Sequence, residues 1–187
     1  FIGGGFQNFI FNSQHSSILG GTQNLINTGS DKVAIVGGES NLITSSSYSI
    51  IGSGDNNTID DCRYGSIIGG RDNKIEMPLN TGETGPGSDS SERADHAAIM
   101  GGRDNLIRDG GYSVIAGGKG NEMFGHRTVF GSTDNEPFFC FIGGGKENQI
   151  ISSSNAIIVG GTNGRIRFSS GAAMLGGGQI FESANSV

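Results

Sequence analysis

The sequence predicts an all-β fold, a β-solenoid (β-roll or β-helix) with about 16 residues per rung, on three observations. The stretch "SSILGGTQNLI" returns as "VAIVGGESNLI", "GSIIGGRDNKI", "AAIMGGRDNLI" and "NAIIVGGTNGRI". Anchored on its first Ile, the phrase falls at Ile2, Ile18, Ile35, Ile50, Ile67, Ile99, Ile115, Val129, Ile142, Ile158 and Met174, eleven copies with steps of 13 to 17 residues and one of 32. Eight residues after the anchor, half a period on, stands a second apolar residue: Ile10, Ile26, Ile43, Ile75, Ile107, Met123, Ile150 and Ile166. Ile and Val suit strands, and the period is too short for a helical hairpin repeat. Each rung therefore has two short strands whose apolar residues face each other across a thin interior, giving eleven rungs in all.

The corners come next. The second residue after the anchor is Gly in all eleven copies and the third is Gly in nine and Ser in two. Gly20, Gly21, Gly37, Gly38, Gly69, Gly70, Gly101, Gly102, Gly117 and Gly118 thus belong to a sharp turn, where positive φ or close backbone approach excludes a Cβ. The sixth residue is Asn in nine copies: Asn8, Asn24, Asn41, Asn56, Asn73, Asn105, Asn121, Asn135 and Asn148. Asn tolerates the left-handed conformation, and a column of Asn one rung apart can form an amide ladder. The reading of these glycines and asparagines is architectural.

The residue after the anchor is Leu19, Val36, Ile51, Ile68, Met100, Val159 or Leu175. Strand neighbours point to opposite faces, so this strand is apolar on both. Beside the second apolar residue stand Lys74, Glu122, Gln149 and Arg165, a solvated face, although Leu25, Leu42 and Leu106 interrupt it. An outward apolar column on a monomer marks an interaction surface, and two apolar residues per rung make a thin core that oligomerisation supports. The expected partner of that column is the same column on sister chains, parallel and in register, ahead of another part of the same polypeptide or a fibril edge.

Composition narrows the function classes. The chain has 187 residues, 35 Gly, no Trp and a formal net charge of -6. Its 12 basic residues are scattered singly, so nucleic acid is not an expected partner. No apolar run is long enough to cross a bilayer, no membrane insertion is expected of this segment, and no signal peptide is visible. The chain opens inside the phrase and stops at "SANSV", where another copy is due, so we expect a piece of a longer fibre. Cys62 and Cys140 lie several copies apart, roughly 20 Å at strand spacing, too far for a disulfide.

Between Ile75 and Ile99 the phrase gives way to "EMPLNTGETGPGSDSSERADH", with two of the three prolines. It reads as a surface loop at about 77–96, a tolerated insertion or a binding loop, although the 32-residue step leaves room for a degenerate rung. "GGRDN" and "GSGDN" resemble calcium-binding nonapeptide repeats, but the period is wrong and most copies lack the Asp. Asp72 and Asp104 occupy equivalent positions, a spacing that would suit a glycosidase pair; beside Arg71 and Arg103 they read better as a charge ladder. His15, His96 and His126 stand three residues before an anchor, where Lys32, Tyr64, Tyr112 and Phe139 stand elsewhere. A threefold ring of imidazoles around a metal is one reading of them and packing the plainer one. "NNT" at Asn56 is a short sequon match. No catalytic residue, metal site or cofactor is assigned.

At "NAIIVGG", "GSIIGG" and "SANSV" the chain resembles the rungs of YadA-like heads of trimeric autotransporter adhesins, and similar arrays occur in fibre and appendage proteins of bacteriophages and large algal viruses. The resemblance implies a trimeric β-roll or β-helix with apolar columns meeting near the threefold axis. The longer period, double Gly and Asn column depart from the adhesin pattern and favour a viral or phage fibre. The expected function is structural and adhesive, not enzymatic: an extracellular shaft segment on a virion surface that supports attachment to a host glycan or protein. The alternatives are a bacterial adhesin head and, further off, a polysaccharide-degrading tail spike. An ice-binding solenoid would need regular Thr arrays that are absent.

Overall fold

A computed structural model describes residues 1–76, 95–124 and 139–181. The chain coils as a β-solenoid of about nine turns, without helix among the described residues. Successive short strands alternate between two parallel sheets, one of nine strands and one of ten. Register is strict: Ile18 lies beside Ile35, Ile35 beside Ile51 and Ile51 beside Ile67, while Ile26, Ile43, Ile59 and Ile75 follow each other in the other sheet. Both Ile files are fully buried in one core, so the two halves of each rung close on each other. Strands of two or three residues would be marginal alone; here every rung between the two ends is hydrogen-bonded on both sides, which makes the stack cooperative.

The eleven-rung count is corrected: ten copies stack among the described residues and make about nine turns. The strand Val114–Ile115 pairs directly with the strand Phe141–Ile142, so the copy anchored on Val129 forms no rung between them. Val129 and Asn135 lie outside the described residues. In the same way the strand Ser66–Ile67 pairs with the strand Ala98–Ile99, leaving no room for a degenerate rung in the 32-residue step. The expected loop at 77–96 lies outside the described residues except for Asp95 and His96, which belong to the next rung's corner: Asp95 accepts a bond from the Arg63 amide, and the His96 amide donates to the Arg63 carbonyl.

The fourth copy is out of phase by one residue. Ile51, not Ile50, is the inward anchor and is 0% exposed, so it is core and not part of an outer column. Its Asn is accordingly Asn57, which is buried, and Asn56 lies exposed on the corner. With the phase corrected, the third residue after the anchor is Gly in every described rung. At Gly21, with φ near +95°, an added Cβ would lie 2.2 Å from the Gly38 carbonyl oxygen; Gly54 stands equally close to Gly70. The second position is freer: it is Ser53 in the fourth rung, and a Cβ at Gly20 would meet nothing within 4 Å.

Corners also place non-glycine residues at positive φ, Tyr and Lys as well as the more tolerant Asn and Asp. Among the described residues twenty-two non-glycine residues do so, in columns that include Gln23, Ser40, Asn56, Asp72 and Asp104 at one corner and Lys32, Tyr48, Tyr64, His96 and Tyr112 at another. Each such conformation is costly alone. In eighteen of them the backbone amide bonds the neighbouring rung: Tyr48 N–H donates to the Asp31 carbonyl, Tyr64 to Ser47 and Tyr112 to Asp95, all within 3.0 Å. The stack offsets the local strain.

Candidate functional site

The asparagine file is an internal ladder. The Asn73 amide nitrogen donates to the Asn57 side-chain oxygen at 3.1 Å, to the Gly69 carbonyl at 3.1 Å and to the Gly102 carbonyl at 3.0 Å. Its oxygen accepts from the backbone and side-chain nitrogens of Asn105 at 3.1 and 3.0 Å. The pattern runs from Asn8 to Asn148 and ends where the Gly164 amide donates to Asn148. Asn24, Asn41, Asn73, Asn105 and Asn121 are fully buried, and they join each glycine corner to the rungs on either side. Cys62 and Cys140 are also interior; burial pushes both thiols up, that of Cys140 to about 11, and no disulfide joins them.

Outside the core, the nine-stranded sheet presents an apolar face. Leu19, Val36, Ile68, Met100, Val159 and Leu175 form one file, between 44% and 83% exposed in the single chain. In the fourth rung that file holds Gly52, and the exposed large residue is Ile50, on the other side of the anchor. Ile50, Phe141 and Ile157 are exposed in this preceding file, which a reading of one column missed. No charged residue occupies either file. A signal for the second file existed: residues one before and one after an inward strand residue share the outer face.

Beside that face, at the corner three residues before the anchor, lies a ladder of stacked rings. Tyr48, Tyr64, His96, Tyr112 and Phe139 follow one another with centroids 5.0, 4.5, 4.5 and 5.2 Å apart. Lys32 closes one end, its Nζ 4.8 Å above the Tyr48 ring and 3.0 Å from that hydroxyl oxygen. His96 thus stacks between Tyr64 and Tyr112, His15 Nδ1 lies 3.1 Å from an Asp31 carboxylate oxygen, and His126 falls outside the described residues. Because ring faces cover one another, the ladder offers edges and hydroxyls rather than platforms for stacking a sugar.

The opposite corner carries charge. Arg71 and Arg103 occupy consecutive rungs, followed by Lys119 and Lys146. Arg71 Nε lies 3.4 Å from Asp72, Arg103 Nε 3.4 Å from Asp104, and Lys146 Nζ 3.2 Å from Glu147. Asp72 also accepts from the Asn56 amide at 2.7 Å. The two aspartates therefore sit in an exposed ladder of ion pairs. On the ten-stranded sheet, Glu76 is gripped by Lys74 and by Arg108, whose Nε lies 2.9 Å from Oε1. Burial alone would raise the Glu76 pKa, but the hydrogen bonds and charges of Lys74 and Arg108 outweigh it and hold the carboxyl below its ordinary value.

No family model matches the chain, and no curated protein matches it. The residues themselves define a repeat scaffold with an uncharged apolar face on one side and charged or ring-bearing corners around it.

Proposed function

We propose that this chain is a shaft segment of a homotrimeric fibre displayed on a virion or other extracellular surface, where it supports attachment to a host. The observation that carries the reading is the apolar face: large hydrophobic residues on successive rungs, with no charge, along the length of the nine-stranded sheet. A lone soluble chain rarely keeps so long an apolar stripe exposed, whereas sister chains around a common axis would cover it. Continuous backbone, amide and aromatic ladders suit a stiff spacer, and nine turns span roughly 45 Å at strand spacing. Viral or bacteriophage appendages are the owners we favour, because the double glycine and asparagine column depart from the adhesin-head pattern. Light scattering on the purified chain tests the assembly. The reading expects three times the chain mass for the wild type and one chain mass for Ile68→Asp; a wild-type monomer at micromolar concentration would refute it.

A further inference from the structure

The outer face of the nine-stranded sheet has a feature that a merely greasy surface would not need: the sizes of its two files are coupled rung by rung. Where the residue after the anchor is Gly3, Gly52 or Gly143, the residue before it is Phe1, Ile50 or Phe141. In other rungs the order reverses: Ser17 precedes Leu19, Ser66 precedes Ile68 and Ala98 precedes Met100. Nine of the ten rungs carry one large and one small residue; only the rung of Ile157 and Val159 has two large ones. The glycines in this file are fixed by the backbone, since a Cβ at Gly52 or Gly143 would come within 2.4 Å of the next rung's carbonyl oxygen. The compensating Ile50 and Phe141 are not so constrained. Within the chain the Phe141 ring leans over its own Gly143, 3.3 Å from where a Cβ would stand; a face open to water needs no such levelling, so compensation in nine of the ten rungs points to a mated surface.

We infer that sister copies lie side by side, parallel and in register, with the file before the anchor on one copy seated against the file after the anchor on the next. This inference rests on the assembly proposed above and specifies its geometry. In either a parallel pair or a parallel ring, symmetry places the two files of one rung opposite each other, so large meets small: Ser66 against Ile68, Ala98 against Met100, Ile50 against Gly52. A slip of one rung would set Ile50 on Ile68, Phe141 on Val159 and Ile157 on Leu175. An antiparallel pair would set Ile68 on Met100 and Ile50 on Val114 while leaving Ser66 on Ala98. Those arrangements overpack some rungs and leave gaps in others. The large residues of the two files, between 38% and 83% exposed from Leu19 to Leu175, present roughly 900 Å² per chain in all, enough for one interface of the ~800 Å² per partner that a stable specific complex buries and shared between two neighbours in a ring.

Pairs of chains that each carry one added cysteine, co-expressed and then oxidised, test the register, and the native Cys62 and Cys140 are too buried to compete. We expect a disulfide between a Ser66→Cys chain and an Ile68→Cys chain, and none between Ser66→Cys and Met100→Cys or between Ile68→Cys and Met100→Cys. Ser66→Leu should reduce association at least tenfold, and the swap Ser66→Ile with Ile68→Ser should restore it. Cross-linking of the Ser66→Cys and Met100→Cys pair would demonstrate a slipped register, and of the Ile68→Cys and Met100→Cys pair an antiparallel one; either overturns the inference while leaving self-assembly standing. An oligomeric mass with no cross-link in any pair also overturns it. A monomeric mass removes both the inference and the assembly beneath it.

Discussion

Replacing Asn73 with Asp changes one group, NH2 to O, in a side chain that is fully buried. The new oxygen would face the Asn57 side-chain oxygen and the Gly69 and Gly102 carbonyls at 3.0 to 3.1 Å, where the amide now donates. The acceptor facing Asn105 is kept. At pH 7 the variant loses about two hydrogen bonds and holds an unpaired buried charge, a combination expected to cost about 3–5 kcal/mol. Asn73→Ala instead leaves the Asn105 N–H without its acceptor and removes the donor, at about 2–3 kcal/mol. Burial raises the folded pKa of the introduced carboxyl above its unfolded value near 3.9. The excess penalty is therefore absent below about pH 4 and grows as pH rises through the folded pKa. Urea denaturation followed by far-UV circular dichroism at fixed protein concentration, from pH 3.5 to 8, reads this directly. A variant as stable as the parent at pH 7, or a loss that acid does not relieve, would refute the ladder as the source of corner stability.

Further expectations follow from the same geometry. Gly102→Ala places a Cβ 2.2 Å from the Gly118 carbonyl oxygen at φ +90° and should cost about 3 kcal/mol or more, whereas Gly101→Ala, with nothing within 4 Å, should fall within about 1 kcal/mol of the parent; thermal denaturation of the pair separates them. Glu76→Gln should cost about 1–3 kcal/mol at neutral pH. Because the Glu76 pKa is lowered on folding, its contribution is present above the ordinary carboxylate range and disappears as pH falls, so the gap between parent and variant should close in acid. Asp60 has the opposite sign: burial and then the Asp61 charge raise its pKa, and Asp60→Asn should stabilise at pH 7 and not at pH 3. His96→Ala interrupts the ring ladder between Tyr64 and Tyr112 and should cost about 1–3 kcal/mol, with His96→Phe recovering most of it.

The two Ile files, the glycine corner and the Asn column were legible because each reflects a constraint repeated on every rung. Phase failed where two residues competed for one role. In "SIIGSGDNN", Ile50 and Ile51, and Asn56 and Asn57, offer two alignments, and treating both glycines of a pair as equivalent selected the wrong one. Steps of 15 and 17 residues around Ile50 become 16 and 16 around Ile51, a signal that was present. Of the glycine pair the third-position residue is the fixed one, because a Cβ there would meet the neighbouring rung's carbonyl and one at the second position would not. Val129 imitated an anchor with steps of 14 and 13, short of the period, whereas Ile115 and Ile142 are directly paired. The ring ladder was half visible: Tyr64, His96, Tyr112 and Phe139 were seen to share a position, but the phase error hid Tyr48, and nothing in residue preference suggests that such side chains stack at positive φ.

Met100 reports on the central claim without any added probe. It is 52% exposed in the single chain and lies in the middle of the apolar face, whereas Met123 is in the core. Peroxide oxidation followed by peptide mass spectrometry compares the two. If sister chains cover the face, Met100 in the wild-type protein should oxidise nearly as slowly as Met123, and at least tenfold faster in the Ile68→Asp variant. Wild-type Met100 that oxidises as fast as it does in that variant, while Met123 stays protected, would contradict the claim that this face is covered.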